Sequence, residues 1–374
     1  MKKALIGTSA LIAVGLLTAQ GASAADKISL GLSGNYRVLG GIVNQDDGPT
    51  NDAANTRNHG LGTDGKINFS GKTTLDSGIE VGVKAELEVQ NQGEMIDEQY
   101  MWIENTDVWG RIEMGDRDGA GNKMNTLAPF VFGAAIVGVQ TIQLANSPVN
   151  TAAFVVAVPG MSGDSTKITY YTPKFGAAQI GISYTPDSDE QIGGAFGTSI
   201  ARGDSDANDV SEILEIGANW GGSMGDAKVN VSGAYASGKG EAATAAAVND
   251  ADRWAVGAKI AMNGWALGGQ YINNETGGGA LATTVQRDDI TTRVGLTYAN
   301  GPWVYGAEYA NRSVEVTATG EDEATVWGVG AKRTLGAGVT AGIGVHVWDW
   351  QDDLSAVAGE NDATEFFFIT EISF

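Results

Sequence analysis

Oxygen-bearing side chains at alternate positions suggest calcium chemistry, because calcium prefers carboxylate and amide oxygens as ligands. Asp204, Asp206 and Asn208 have the spacing of the first ligands of an EF-hand, and Glu215 stands at the twelfth place counted from Asp204. That motif requires Gly where Asp209 stands and a helix on each side of the loop. An EF-hand is therefore excluded.

A looser calcium site stays open, formed either by these three residues or by a second acidic group near the C-terminus. The second group consists of Asp349, Asp352 and Asp353. Clustered carboxylates repel one another unless a cation lies between them. The expectation is that no cofactor is required and that the acidic loops can bind calcium.

Catalysis has few candidate residues. The chain contains two histidines and no cysteine, so thiol chemistry is excluded. His59 falls in an acidic stretch and His346 on the polar side of an alternating segment, so both are expected to be solvated and not catalytic. The residues 70–73, SGKT, resemble the end of a phosphate loop, but Lys66 occupies its first Gly position and no helix follows. The sequence predicts no enzyme.

The N-terminus predicts export. Lys2 and Lys3 precede an apolar run over residues 4–17, and the small residues Ala22, Ser23 and Ala24 follow. This is the pattern of a secretory signal peptide over residues 1–24, which leaves residues 25–374 as the mature chain. The apolar run is short for a transmembrane anchor.

The mature chain is strongly acidic. Removing Lys2 and Lys3 from the 23 basic residues leaves 21 against 45 acidic ones, a net charge of −24. Nucleic acid is excluded as a partner on this ground, and cations are favoured. No later window approaches the 18 apolar residues of a membrane helix.

Alternation with a period of two dominates the chain. Residues 79–89 read IEVGVKAELEV, in which apolar side chains alternate with small or charged ones. A period of two is typical of an extended strand with one apolar and one wet face. Such segments recur about sixteen times at a length of 8 to 12 residues, enough to cross a bilayer at barrel tilt. An all-β, up-and-down antiparallel transmembrane barrel is predicted.

The connections are sorted by length. Short Gly-rich turns, among them Asn263-Gly264, join the strands at one end. The other end is expected to carry long acidic loops over 44–65, 186–211, 237–252, 273–289, 311–323 and 349–362. Bacterial outer-membrane barrels have this arrangement.

The two faces of the strands differ in chemistry. One face carries Trp and Tyr near the strand ends and small aliphatic residues between, as expected where aromatic rings lie at the lipid headgroups. The other face carries many charges, which a packed core would not tolerate. Lipid outside and water inside explain both faces. The chain ends in mid-strand at Phe374, as expected if the last strand closes against the first.

The mature chain resembles the Gram-negative general porins of alphaproteobacterial type over its whole length. The residues that carry the resemblance are the opening strand LGLSGNYRV, the pair QYMWIEN and WGRIEMGDR, the segments KITYYTPKF and AAQIGISYTP, and the terminal Phe374. The resemblance implies a sixteen-stranded barrel in the bacterial outer membrane, in contact with lipid and lipopolysaccharide. It also implies a homotrimer and recognition of Phe374 by the barrel-assembly machinery.

The resemblance further implies a long third loop, about 116–164, that folds into the lumen and narrows it. By position, the bases on the wall would be Arg37, Lys66, Lys84 and Arg117, and the loop acids Asp116 and Asp118. The middle of this loop departs from the family because it is apolar and lacks acids. Two interpretations stay open: the apolar stretch packs against the inner wall, or it forms an unusually apolar constriction.

The predicted function is a water-filled channel for passive diffusion of ions and small hydrophilic solutes, with a preference for cations. One alternative is a substrate-selective channel of the same fold. Another is a secreted β-rich adhesin or lectin, whose apolar side chains would lie inside a soluble body.

Overall fold

The computed structural model describes residues 27–45, 57–89, 96–132, 145, 159–188, 210–241, 250–276, 287–315, 320–351 and 361–374. The described residues form sixteen strands and one short helix, α1 (Ala120–Lys123). The strands are β1 (Ser29–Gln45), β2 (His59–Thr74), β3 (Glu80–Glu88), β4 (Ile96–Asn105), β5 (Gly110–Asp116), β6 (Thr166–Tyr171), β7 (Ala178–Asp187), β8 (Val210–Met224), β9 (Ala227–Gly240), β10 (Ala251–Met262), β11 (Trp265–Thr276), β12 (Arg287–Asn300), β13 (Trp303–Glu315), β14 (Glu321–Gly336), β15 (Val339–Gln351) and β16 (Asn361–Ser373).

Each strand pairs antiparallel with its neighbours in sequence, and β1 pairs with β16 to close the barrel. At this seam the backbone N–H of Gly34 donates to the carbonyl of Phe374 at 2.9 Å, and the N–H of Phe374 donates back at 3.0 Å. The predicted all-β barrel of about sixteen strands is confirmed, and the chain end closes the sheet as expected.

Short turns join the strands at one end, as predicted. Asn263 and Gly264 have φ angles of 52° and 86°, so the β10–β11 turn requires positive φ at both central residues. Gly301 and Gly338 supply positive φ to the turns before β13 and β15. An L side chain would be strained at these two glycines.

The strands reach further into the predicted loops than the alternation alone indicates. β1 continues to Gln45 and β2 begins at His59, so both ends of the predicted loop 44–65 are strand. The predicted long loop 311–323 is wrong, because β13 ends at Glu315 and β14 begins at Glu321. Polar strand ends that extend beyond the apolar band lack the alternation that marks a strand in the sequence.

Aromatic rings lie at two levels on the outer surface. Trp254 packs on Tyr271 at one level, with ring centroids 5.2 Å apart, and Trp265 packs on Tyr298 at the other, 4.5 Å apart. Trp265 pairs with Met262, which lies eight residues after Trp254 on β10. Eight residues span about 27 Å along a strand and about 21 Å across a membrane at barrel tilt, close to the height of the apolar band in such barrels.

In the part of the chain described here, no helix combines the length and the apolar character needed to span a membrane. The predicted signal peptide, residues 1–24, lies outside the described residues.

The orientation of the strands predicts opposite outcomes for two adjacent substitutions in β9. Val231 faces outward opposite Ala258, midway between the two aromatic levels, and its neighbour Asn230 faces the lumen. We expect Val231→Lys to cost about 2–4 kcal/mol of unfolding free energy, because its charge lies near the bilayer midplane. Asn230→Lys should cost far less, since its charge meets water. Urea unfolding in lipid vesicles measures both, and equal losses would contradict the assigned faces.

Candidate functional site

The connection between β5 and β6 is described over residues 117–132, 145 and 159–165; these residues lie inside the barrel and are called the lumen segment below. Its first described contacts are with inward-facing residues of the wall. The backbone N–H of Ala120 donates to Ser183 Oγ on β7 at 2.6 Å. The N–H of Thr126 donates to Ser232 Oγ on β9 at 2.7 Å. The segment therefore runs along the inside of the wall, in agreement with the predicted third loop folded into the lumen.

Glycines on the inward faces of successive strands make room for the segment. A Cβ at Gly217 on β8 would overlap the carbonyl of Ala120, and a Cβ at Gly257 on β10 would overlap that of Thr126. The same steric conflict recurs further along the segment, at Gly268, Gly295, Gly306, Gly330 and Gly342, which face Pro129, Val131 or Phe132. The inward glycines of β8 to β15 thus form a continuous glycine track along the path of the segment. Larger side chains at these positions would prevent the segment from lying against the wall.

The described apolar part of the segment packs against apolar side chains of the wall. The ring of Phe132 meets Phe367 of β16 edge-on, with centroids 5.2 Å apart. Phe130 packs against a buried cluster that includes Trp348 and Trp350. These contacts agree with packing against the inner wall, the first of the two interpretations of this apolar stretch.

Buried carboxylates hold the backbone of the segment at two places. Glu365 Oε1 on β16 accepts the N–H of Ala145 at 2.6 Å. Glu215 on β8 accepts N–H groups from Gly121 and Ser162, at opposite ends of the segment, at 3.0 and 3.1 Å. Both carboxylates are fully shielded from water, at 0% exposure.

The inner wall opposite the lumen segment, formed by β1 to β5, carries charged side chains that are partly exposed to water. The side chains of Arg37, Lys66 and Lys84, on β1 to β3, are 22–25% exposed. Inward-facing Arg293 and His346, on β12 and β15, are 1% exposed. The water-filled passage is therefore bounded by β1 to β5 on one side and by the lumen segment on the other.

Bases and acids share the wall of this passage. The ammonium of Lys66 lies 2.7 Å from Glu86, 3.4 Å from Glu88 and 2.5 Å from Asp97. Lys84 lies 2.8 Å from the same Glu86. A separation into wall bases and loop acids, as the resemblance implies, is not present among these described residues.

Arginines continue the paired arrangement along β1 and β5. Arg37 lies 2.9 Å from Glu371. Arg111 and Arg117 each lie 2.5 Å from Glu113. Arg117 also stacks over the ring of Tyr100, with its guanidinium carbon 4.2 Å from the centroid. The aromatic face and the carboxylate hold the guanidinium against the wall.

Three carboxylates meet where the segment faces β4. One oxygen atom from each of Glu98, Asp118 and Asp164 lies within 4.8 Å of the others. Lys123 neutralises part of this charge at 3.0 Å from Glu98 and 3.3 Å from Asp118. Burial, together with the negative charge of Asp118, raises the pKa of Asp164 to about 7.

Carboxylates outnumber bases in this sector. Among the described residues, ten carboxylates and seven bases take part in these ion pairs; beyond the pairs, Asp164 adds an eleventh carboxylate, and Lys167 and Lys332, whose charges interact with members of this set, add two bases. The paired bases are Arg37, Lys66, Lys72, Lys84, Arg111, Arg117 and Lys123; the paired carboxylates are Asp64, Glu80, Glu86, Glu88, Asp97, Glu98, Glu104, Glu113, Asp118 and Glu371. The passage therefore has a negative balance of fixed charge.

A family model described as Gram-negative porin matches residues 7–348. The chain belongs to the Gram-negative porin family. Family and fold together place the porin in the outer membrane as a channel for passive diffusion and exclude the secreted adhesin or lectin. Members of this family are channels and not enzymes.

Solved structures of low sequence identity share the fold. An anion-selective porin from Comamonas acidovorans is 17% identical with a TM-score of 0.63, covering 93% of this chain and 100% of its own. OmpT of Vibrio cholerae in its trimer form is 12% identical with a TM-score of 0.61 and the same coverage. A mutant of the Rh. blastica porin is 15% identical with a TM-score of 0.54, covering 92% and 100%. A comparison with curated protein sequences gave no match.

The predicted constriction residues are partly brought together in the porin. Arg37, Lys66, Lys84 and Arg117 line the passage, and Asp118 faces it from the lumen segment. Asp116 does not, because it ends β5 on the outward face, where it pairs with Gln99 and is 5% exposed. Its carboxylate accepts hydrogen bonds from Gln99, at 2.9 Å, and from Thr166. Its expected role as a lumen acid is therefore wrong.

His346 is also placed differently from the expectation that it is solvated. Its ring is 1% exposed and lies between Glu308, at 3.2 Å, and Glu365, at 3.5 Å, beneath the lumen segment. The alternation correctly indicated an inward side chain, but a pattern of two faces does not show that a loop covers part of the inner face. His59 is exposed at the start of β2, as expected.

The calcium candidates fall largely outside the description. Asp204, Asp206, Asn208, Asp352 and Asp353 lie outside the described residues. Asp349 is exposed on the outward face of β15, near Gln351 at 3.5 Å. Sequence reasoning missed Glu98 and Asp164 as partners of Asp118, because they come from β4 and from the returning end of the segment.

The raised pKa of Asp164 predicts a pH-dependent selectivity of the porin. Between pH 6 and pH 8 this carboxyl loses its proton and adds one negative charge to the passage. We expect the reversal potential in a KCl gradient to shift toward cation selectivity over this range. Asp164→Asn should remove most of that shift, and a variant that keeps the full shift would contradict the assignment.

Proposed function

We propose that this porin is a cation-preferring diffusion channel for ions and small hydrophilic solutes. The observation that carries the proposal is the excess of carboxylates over bases among the charged residues that line the passage. Fixed negative charge along a narrow aqueous path raises the local concentration of cations and lowers that of anions. The anion selectivity of the Comamonas porin belongs to that protein, since the likeness at 17% identity concerns the fold.

The paired bases reduce this preference without reversing it. Each of the seven bases lies within 4 Å of at least one carboxylate, so its field is largely cancelled at the scale of a passing ion. The unpaired balance is negative. A moderate cation preference therefore follows, weaker than that of a passage lined by acids alone.

A homotrimer is supported by the outer surface of β3 to β6. These strands have 6 to 10 residues, against 12 to 16 in β8 to β16. The buried carboxylate of Asp116, with Gln99 and Thr166, faces outward here, and a carboxylate facing lipid would be costly. A second copy of the chain covers this sector in the proposal, and OmpT of Vibrio cholerae has a trimer form.

The remaining partners follow from the outer-membrane location. Lipid and lipopolysaccharide contact the outward aromatic and aliphatic side chains in this proposal, and the signal peptide is removed after Ala24. The barrel-assembly machinery would bind the last strand through Phe374, whose ring is 61% exposed.

Planar-bilayer recording of the detergent-purified porin tests the proposal. We expect ohmic conductance, a reversal potential that favours cations at low salt, and closures in steps of three. Anion preference at low salt would overturn the electrostatic part. A conductance that saturates with one solute and is blocked by it would instead identify the substrate-selective alternative.

Lys66 offers a sharper test because three carboxylates surround it. Lys66→Gln leaves Glu86, Glu88 and Asp97 without their shared counter-charge. A unit charge about 4 Å away contributes about 1 kcal/mol in water, or about fivefold in local cation concentration before screening. We expect a clear rise in cation over anion permeability at low salt. Lys174→Gln, an exposed lysine in the turn between β6 and β7, is the matched control and should leave the permeability unchanged.

Calcium binding by the acidic loops stays a prediction. Titration calorimetry on the purified porin should give saturable heat with calcium, and combined replacement of Asp204, Asp206 and Asp352 by Asn should weaken it. The absence of any heat with the unmodified porin would contradict this prediction.

A further inference from the structure

Glu215 binds both ends of the lumen segment with one carboxylate. Its Oε2 accepts the N–H of Gly121 at 3.0 Å on the outgoing limb. Its Oε1 accepts the N–H of Met161 at 3.0 Å, and the N–H and hydroxyl of Ser162 at 3.1 and 2.7 Å, on the returning limb. Hydrogen bonds to an ionised acceptor are stronger than neutral ones, and water does not compete at 0% exposure.

Small residues allow the two limbs to approach this carboxylate. A Cβ at Gly119 would overlap Glu215 Oε2, and a Cβ at Gly121 or Gly160 would come within 3.2 Å of it. Asn122 ties the same limbs together, since its Oδ1 accepts the N–H of Gly160 at 2.8 Å. The segment is thus closed at its base by the carboxylate and by one amide.

The acids that face the passage are adjacent to the clamped residues. Asp118 lies three residues before Gly121, and Asp164 lies two residues after Ser162. Their meeting with Glu98 depends on the two limbs being held side by side. The Asn122 amide, which also donates to Asp118 Oδ1 at 2.7 Å, extends the hydrogen-bond network from the clamp to the acids.

We propose that Glu215 is the positioning residue that sets the width and the charge of the passage, by clamping the outgoing and returning limbs of the lumen segment. This inference rests on the proposed channel function. Glu215 itself does not face the solute path. Its effect on selectivity is exerted through the placement of Asp118 and Asp164.

The first test is Glu215→Gln in planar bilayers. A glutamine offers one acceptor oxygen where the carboxylate offers two, and its amide protons oppose the N–H groups of one limb. We expect higher single-channel conductance, larger current noise and loss of the cation preference. Glu212→Gln is the matched control: Glu212 is an exposed carboxylate on the same strand, paired with Lys239 at 2.5 Å, and it belongs neither to the clamp nor to the charged residues of the passage. The control should leave conductance and noise unchanged.

A second variant separates position from charge. Gly217→Val alters no charge, yet its side chain would overlap Ala120 and Met124 and push the outgoing limb off the wall. We expect the same rise in conductance and loss of cation preference as for Glu215→Gln. It also carries the test if Glu215→Gln does not fold, which heat-dependent migration in SDS gels would show.

A disulfide between the outgoing limb and the wall would restore the position of the limb in the Glu215→Gln variant. A Cβ at Gly181 would lie 3.1 Å from the Cβ of Ala120, a few tenths of an ångström inside the usual disulfide separation, with the Tyr171 ring turning aside. The porin contains no other cysteine, so Ala120→Cys with Gly181→Cys in the Glu215→Gln background should restore selectivity when oxidised and lose it when reduced.

The outcomes are distinguishable from failure of the channel proposal. If the unmodified porin does not conduct, the channel proposal fails. If it conducts with cation preference, and both Glu215→Gln and Gly217→Val keep its conductance and selectivity, the positioning role of Glu215 is overturned.

Discussion

Closure of the hydrogen-bonded sheet is the constraint on which every other feature depends. Inside a bilayer each backbone N–H and C=O must find a partner within the protein, so a sheet with a free edge cannot persist there. The pairing of β1 with β16, completed by the Gly34 and Phe374 backbones, removes both edges. Closure in turn divides the side chains of each strand into an outer and an inner set. All chemistry available for transport must come from the inner set or from a connection folded among it.

The inner set is not uniform, and its division into two sectors defines the passage. On β1 to β5 the inward residues are charged and partly hydrated. On β8 to β15 glycine recurs where the lumen segment passes, and the inward residues around it include apolar side chains, the shielded Arg293 and His346, and carboxylates that accept backbone N–H groups. An apolar stretch is unfavourable in water, and larger side chains at the glycine positions would prevent it from packing against the wall. The glycine track and the apolar segment are therefore complementary parts of one packing arrangement.

The sequence predicted the alternating strands, the pairing of the last strand with the first, and most of the basic residues on the inner wall. These features depend on the local alternation that any outer-membrane strand must show. The sequence could not predict that the carboxylates of Glu98 and Asp164 meet that of Asp118, since these residues are far apart in the chain. Asp116 was misplaced because the strand continues one residue further before the segment begins, and one residue in a strand changes the face. His346 was placed on the correct, inner face, but it was expected to be solvated and is in fact buried. Alternation identifies the inner face, whereas coverage by the segment decides which inner residues meet water.

Coverage also determines which charges a solute can sense. Arg293, His346 and Glu365 are almost completely shielded, so their fields act mainly on the segment that covers them and on one another. Lys66, Lys84 and Arg37 face the passage, but each is held against a carboxylate, which shortens the range of its field. What remains at the scale of a hydrated ion is the excess of carboxylates, concentrated where Asp118 and Asp164 approach Glu98. Because two of these three groups lie on a connection and not on a strand, the selectivity of a rigid barrel depends on how firmly that connection is held.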